Sequence, residues 1–126
     1  MSGRKSDTLI YVVDDEPVLL ELAEACLAPT SCRLRKFNNP AAAWKSFSTE
    51  SSKPALLMTD YAMGRMTGLE LAALCKQAHP ELKVLLVSGT AGPEVIKGMP
   101  VKVDLFLAKP YQPRQLLSAV QSLLPA

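Results

Sequence analysis

A chain of 126 residues is long enough to bury one core and too short for two. With 48% apolar and 21% charged residues it has the make-up of a soluble globular domain, and no apolar run approaches the roughly 20 residues that span a bilayer. The 14 basic and 12 acidic residues are mixed along the chain for a net charge of +2, which gives no concentrated field for nucleic acid or anionic lipid, so neither is expected as a partner.

The first seven residues are polar, lack the apolar core of a secretory signal and read as a flexible arm, with one domain over residues 8–126 and a cytoplasmic location. Leu9-Ile10-Tyr11-Val12-Val13 is an apolar, β-rich run that stops abruptly at Asp14-Asp15-Glu16-Pro17, as a strand buried on both faces would. Asp15 can cap the helix that follows and Pro17 suits its first turn, with Val18, Leu19, Leu22, Ala23, Cys26 and Leu27 at helical spacing until Pro29. Residues 32–37 alternate as a weaker strand, Asn38-Asn39-Pro40 opens a helix carrying Ala43, Trp44 and Phe47, and residues 48–54 read as a polar loop.

Residues 55–60 repeat the first pattern, an apolar strand ending on a carboxylate, Asp60. Thr67 can cap a helix carrying Leu69, Leu71, Ala72, Leu74 and Cys75, which His79-Pro80 ends. Residues 83–87 form a strand that runs out at Ser88-Gly89, and residues 104–108 another that ends at Lys109-Pro110. A last helix over residues 112–124 turns Leu116, Leu117, Val120, Leu123 and Leu124 inward. Strands alternating with helices imply crossover connections, hence an α/β fold with a five-stranded parallel sheet and helices on both faces.

Cys26, Cys32 and Cys75 are odd in number and lack Cys-x-x-Cys spacing, which points to reduced core thiols rather than a disulfide framework or a thiolate metal site. His79 reads as a surface cap at a helix end, and Trp44 as a packing residue. The chemistry is concentrated elsewhere. In an open parallel sheet the ligand site lies at the carboxyl ends of the strands, where Asp14, Asp15, Asp60, Ser88 and Lys109 all fall. Oxygen donors of this kind suit a hard cation, Mg²⁺ or Mn²⁺. Such a cation and Lys109 would offset the charge of an in-line phosphoryl transfer to Asp60 as carboxylate nucleophile, and Ser88 would hydrogen-bond a phosphoryl oxygen. Taken singly, Asp14 and Asp15 serve equally well as helix caps, and Asp60 with Lys109 as an ion pair at a sheet edge.

In the set Val13-Asp14-Asp15-Glu16-Pro17, Asp60 followed by Met63 and Gly68, Val87-Ser88-Gly89 and Phe106-Leu107-Ala108-Lys109-Pro110, the sequence resembles the response-regulator receiver family over residues 8–124. The resemblance implies a flavodoxin-like, doubly wound sheet in strand order 2-1-3-4-5. It implies Mg²⁺ held by Asp14, Asp15, Asp60 and the backbone carbonyl of Ala62, and phosphorylation of Asp60. It further implies phosphate binding by Lys109 ahead of a cis bond to Pro110, a switch hydroxyl at Ser88 and a switch aromatic at Phe106. The phosphodonor would be a sensor histidine kinase or a histidine phosphotransfer protein, and the output a downstream protein, since no effector segment follows Leu124. No reaction beyond self-phosphorylation and autodephosphorylation is implied.

The chain departs from the family at Met63-Gly64, where Met-Pro is usual, and over residues 91–100, whose Gly92, Pro93, Gly98 and Pro100 leave room for only a short or irregular fourth helix. Two other classes of function fit parts of the pattern: a Mg²⁺-dependent phosphohydrolase with an aspartyl intermediate, and an inert scaffold that kept the fold. A dehalogenase-type hydrolase wants Asp-x-Asp after the first strand where this chain has adjacent Asp14-Asp15, and a scaffold has no need of Asp60 or Lys109.

Overall fold

A computed structural model describes residues 8–62, 66–89 and 102–124 of the chain. The elements in chain order are β1 (Leu9–Val13), α1 (Pro17–Leu27), a 3₁₀ turn (Ala28–Thr30), β2 (Arg33–Phe37), α2 (Pro40–Thr49), β3 (Leu56–Asp60), α3 (Gly68–Ala78), β4 (Lys83–Ser88), β5 (Leu105–Ala108) and α4 (Pro113–Leu123). All strand pairs are parallel, in the order β2-β1-β3-β4-β5. The expected arm over residues 1–7, the Met63-Gly64 departure and the helical segment expected over residues 91–100 lie outside the described residues, so α4 names the last described helix.

Strand periodicity divides the core in two. Tyr11, Val13, Leu57, Val84 and Leu86 face one side and pack with Phe47 of α2 and Leu71 of α3. Ile10, Val12, Met58, Leu85 and Val87 face the other and pack with Leu20 and Leu27 of α1 and Leu116 and Val120 of α4. Both faces of the three central strands are covered by helices, which is why their sequences are continuous apolar runs rather than alternating ones. Tyr11 can sit in this core because its hydroxyl is 2.9 Å from the buried Ser46 hydroxyl, leaving no unsatisfied polar group there.

Of the helix starts at which the sequence suggests a cap, one is an exception. Asn39 accepts from the Ala42 amide at 2.7 Å, and Thr67 with Glu70 forms a reciprocal capping box. The exception is α1. Its N-cap is Glu16, with no side-chain cap, so Asp15 does not act as the expected cap. It is Asp14 that accepts the Glu16 amide, at 3.0 Å.

The inward stripe of α1 also differs from the expected one. Leu20, Ala23, Cys26 and Leu27 are buried, whereas Val18 is 74% and Leu22 41% exposed. The polar loop after α2 begins later than expected because that helix runs on to Thr49, and Asp104 precedes β5 rather than opening it. Cys26 and Cys75 are buried core thiols, Cys32 is half-buried, and all three are free. His79 caps the C-terminus of α3 with its ring against Phe47, and Trp44 stacks on the same phenylalanine.

Candidate functional site

Strand order assembles the site. β1 and β3 are neighbours with Val13 opposite Thr59, so the next residues on each, Asp14 and Asp60, emerge side by side at the carboxyl edge of the sheet. β4 and β5 continue that edge, with Ser88 opposite Ala108, and Lys109 follows immediately. The Lys109 amide donates to the Ser88 carbonyl at 2.8 Å, and the Lys109-Pro110 peptide is cis.

From there the Lys109 side chain crosses the end of β4. Its Nζ lies 2.9 Å from Asp14 Oδ2 and 3.2 Å from Asp60 Oδ1. Gly89 lies beside this path, where a Cβ would stand in van der Waals contact with the Lys109 Cβ at 3.4 Å. A cavity of about 310 Å³ opens above the strand ends, lined by Asp15, Glu16, Asp60, Ala62, Gly89 and Lys109.

Among the described residues, the metal-ligating side chains that converge are Asp14, Asp15 and Asp60, each offering a carboxylate oxygen within 4.8 Å of the others. Two like unit charges at that separation repel by roughly 3 kcal/mol in an effective dielectric near 20. Lys109 offsets one carboxylate and leaves the cluster net negative. The ionisation of Asp60 reports the conflict: burial pushes its carboxyl above the usual range, Lys109 pulls the other way, and the charges of Asp14 and Asp15 push it up again. Burial opposes the Lys109 charge, but its hydrogen bond to Asp14 and the charges of Asp14 and Asp60 outweigh this and raise its pKa.

The donor set therefore fits a hard divalent cation. It offers oxygens only, from few carboxylates, beside a cavity with room for waters and a phosphoryl group. Asp14 and Asp60 are buried and Asp15 is exposed, and Asp15, Asp60 and Ala62 all line the cavity.

Ser88 is buried at the end of β4, and Phe106 sits two residues before the end of β5, half-buried against the α2–α3 side of the core rather than in the cavity. The structure thus brings together Asp14, Asp15, Asp60, Ala62 and Lys109, and keeps Phe106 apart. Two further residues line the cavity, Glu16 and Gly89, which the sequence marks only as parts of motifs; the cue for Gly89 is its place directly after a strand-end serine.

The family model for the response regulator receiver domain matches residues 10–121. The chain is 27% identical over 118 residues to the response regulator receiver protein CpdR of Brucella abortus, covering 93% of this chain and 97% of that protein. It is 26% identical over 118 residues to the phosphate regulon transcriptional regulatory protein PhoB of Pseudomonas aeruginosa, covering 91% of this chain and about half (51%) of that protein. In fold it matches a CheY-like receiver domain protein from Methanospirillum hungatei with a TM-score of 0.82 at 22% identity, over 91% of each chain. Receiver domains are in general non-enzymatic signalling modules that take phosphate from histidine kinases, and the chain belongs to the response regulator receiver domain family.

Proposed function

We propose that this receiver takes its phosphoryl group on Asp60 from a phosphohistidine, carried by a sensor histidine kinase or a histidine phosphotransfer protein in the cytoplasm, with Mg²⁺ or Mn²⁺ bound. The observation that carries the reading is the convergence of three carboxylates on one point with Lys109 3.2 Å from Asp60. A carboxylate oxygen of Asp60 attacks phosphorus, the bond from phosphorus to the imidazole nitrogen breaks, and the histidine leaves with the electron pair. Asp14, Asp15, Asp60 and the Ala62 carbonyl would hold the cation, which supplies positive charge to the phosphoryl oxygens during transfer. Lys109, already in the site, binds the same oxygens.

Ser88 and Phe106 then carry the signal. Phosphorylation adds charge and acceptor oxygens next to Ser88, whose hydroxyl moves toward them while Phe106, on the neighbouring strand, turns inward to fill the space left. A downstream protein reads the altered surface.

Intact mass after incubation with acetyl phosphate tests this directly. Wild type is expected to gain one phosphoryl group in Mg²⁺ and none in excess chelator, and both Asp60→Ala and Asp15→Asn to label little or not at all. Amide chemical shifts of the beryllofluoride adduct should change at Ser88 and Phe106. Full labelling in chelator, or of Asp60→Ala, would refute the assignment.

A further inference from the structure

Asp60 is held by its backbone as well as by its charged neighbours. Gly68, the buried first residue of α3, lies directly against the Asp60 peptide. A Cβ at that position would stand 2.2 Å from the Asp60 carbonyl oxygen, 3.0 Å from its carbonyl carbon and 3.1 Å from Thr59 Oγ1. The first of these is far inside the roughly 3.5 Å at which non-bonded atoms attract, and the obstacle is backbone that no rotamer change can move aside.

The same peptide is fixed from other directions. The fully buried Thr59 hydroxyl donates to the Asp60 carbonyl at 3.0 Å. The Gly68 amide donates to the Tyr61 carbonyl at 2.8 Å, and the Tyr61 amide to the Val87 carbonyl at 2.8 Å. The residue after the acceptor is thereby tied both to α3 and to β4.

We propose that Gly68 and Thr59 are positioning residues for the phospho-acceptor, and that seating α3 on the Asp60 peptide aims its carboxylate at Lys109 and at the cation held with Asp14 and Asp15. The proposal rests on Asp60 being the acceptor. Its physical basis is leverage: the carboxylate is carried on two single bonds from Cα, so a shift of the peptide is passed on to the attacking oxygen. A misplacement of about 1 Å costs on the order of a hundredfold in rate for groups that must attack in line. With a methyl group at position 68, either α3 backs away from the strand end or the Asp60 peptide rotates, and both move the nucleophile.

The test is the rate of acetyl phosphate labelling at saturating Mg²⁺, followed by intact mass, in Gly68→Ala, Thr59→Val and Thr59→Ser, with urea midpoints measured alongside. Gly68→Ala is expected to label at least tenfold more slowly. Thr59→Val, of the same shape but without the hydroxyl, should be at least threefold slower, and Thr59→Ser, which keeps it, within twofold of wild type. A rate that tracked the urea midpoint across the three variants would reduce both residues to structural roles and overturn the proposal. So would a folded Gly68→Ala that labels within twofold of wild type. Should Gly68→Ala not fold, Thr59→Val decides alone, and a wild-type rate there overturns the proposal. Failure of wild type to label at all, or labelling that survives Asp60→Ala, would instead strike the acceptor assignment and leaves a different signature.

Discussion

Around Asp60, burial and charge act in opposite directions, and the balance fixes a pH dependence. Its pKa in the fold lies above the ordinary 3.8, through burial first and the carboxylates of Asp14 and Asp15 after the opposing Lys109. The folded state then binds the proton more tightly than the unfolded chain, so the stability from this group is fully present below pH 3.8 and is lost as pH rises through the raised value. Lys109 is also raised, but its loss of stability falls at alkaline pH, beyond 10.5. Asp104 has the opposite sign: despite its burial, the Val84 amide and Lys76 hold its carboxyl below 3.8, and its contribution is lost only as pH falls through that lowered value. Between pH 4 and 7, without metal, Asp60 is therefore the group among these that costs stability. Asp60→Asn is expected to raise the urea midpoint at pH 7 and to flatten its pH dependence, the two proteins converging toward pH 3.8; a lower midpoint for the variant at pH 7 would contradict this. Asp14, Asp15, Asp60 and Lys109 were legible in the sequence because each closes an apolar run. Gly68 was legible only as a member of the family motif and Thr59 not at all, because their close approach arises only when α3 folds back over the strand end.

At the level of elements, the strands were easier to read than the phase of the helices. β1 was bounded correctly because five consecutive buried residues admit one reading, whereas α1 carries Val18, Leu19, Leu20, Leu22 and Leu27 and is apolar through more than one arc. Spacing alone cannot choose between a stripe through Val18 and Leu22 and one through Leu20 and Leu27. The choice is made by the sheet and by α4, against which Leu20 and Leu27 pack. Leu20→Ala is accordingly expected to cost about 2–5 kcal/mol, the range for a buried leucine, and Val18→Ala less than about 0.5 kcal/mol. Equal losses in urea denaturation would mean that α1 is rotated from the orientation described. The start of β5 was misplaced by one residue for a related reason. Asp104 donates its amide to the Val84 carbonyl while its carboxylate takes the Val84 amide at 2.8 Å, so a side chain replaces a backbone carbonyl where the ladder begins.

Taken as a whole, the molecule joins its most distant parts at one site. Lys109 and Asp14 are 95 positions apart in sequence, and Asp60 comes from a strand between them: pairing of β1 with β3 assembles the carboxylates, and Lys109 reaches them only when β4 and β5 have joined the same sheet. The order β2-β1-β3-β4-β5 is what sets the ends of β1 and β3 side by side, and this much followed from alternating strands and helices together with the family resemblance. A cation bound by that cluster binds the folded state and has no comparable site on the unfolded chain, so it stabilises by mass action: about 2.7 kcal/mol at a concentration 100 times its Kd. Mg²⁺ at that level is expected to raise the urea midpoint of wild type without changing the slope of the transition, since the surface exposed on unfolding stays the same. Asp15 is the cleanest probe of the effect. Being exposed, it contributes little to the core, so Asp15→Asn should leave the metal-free midpoint the same or slightly higher, through relief of like-charge repulsion, while abolishing most of the Mg²⁺ response. Sodium chloride at matched ionic strength screens surface charge without filling the site, and should reproduce only a small part of the shift. An equal rise in Asp15→Asn, or in sodium chloride alone, would mean that the three carboxylates do not act together on a cation.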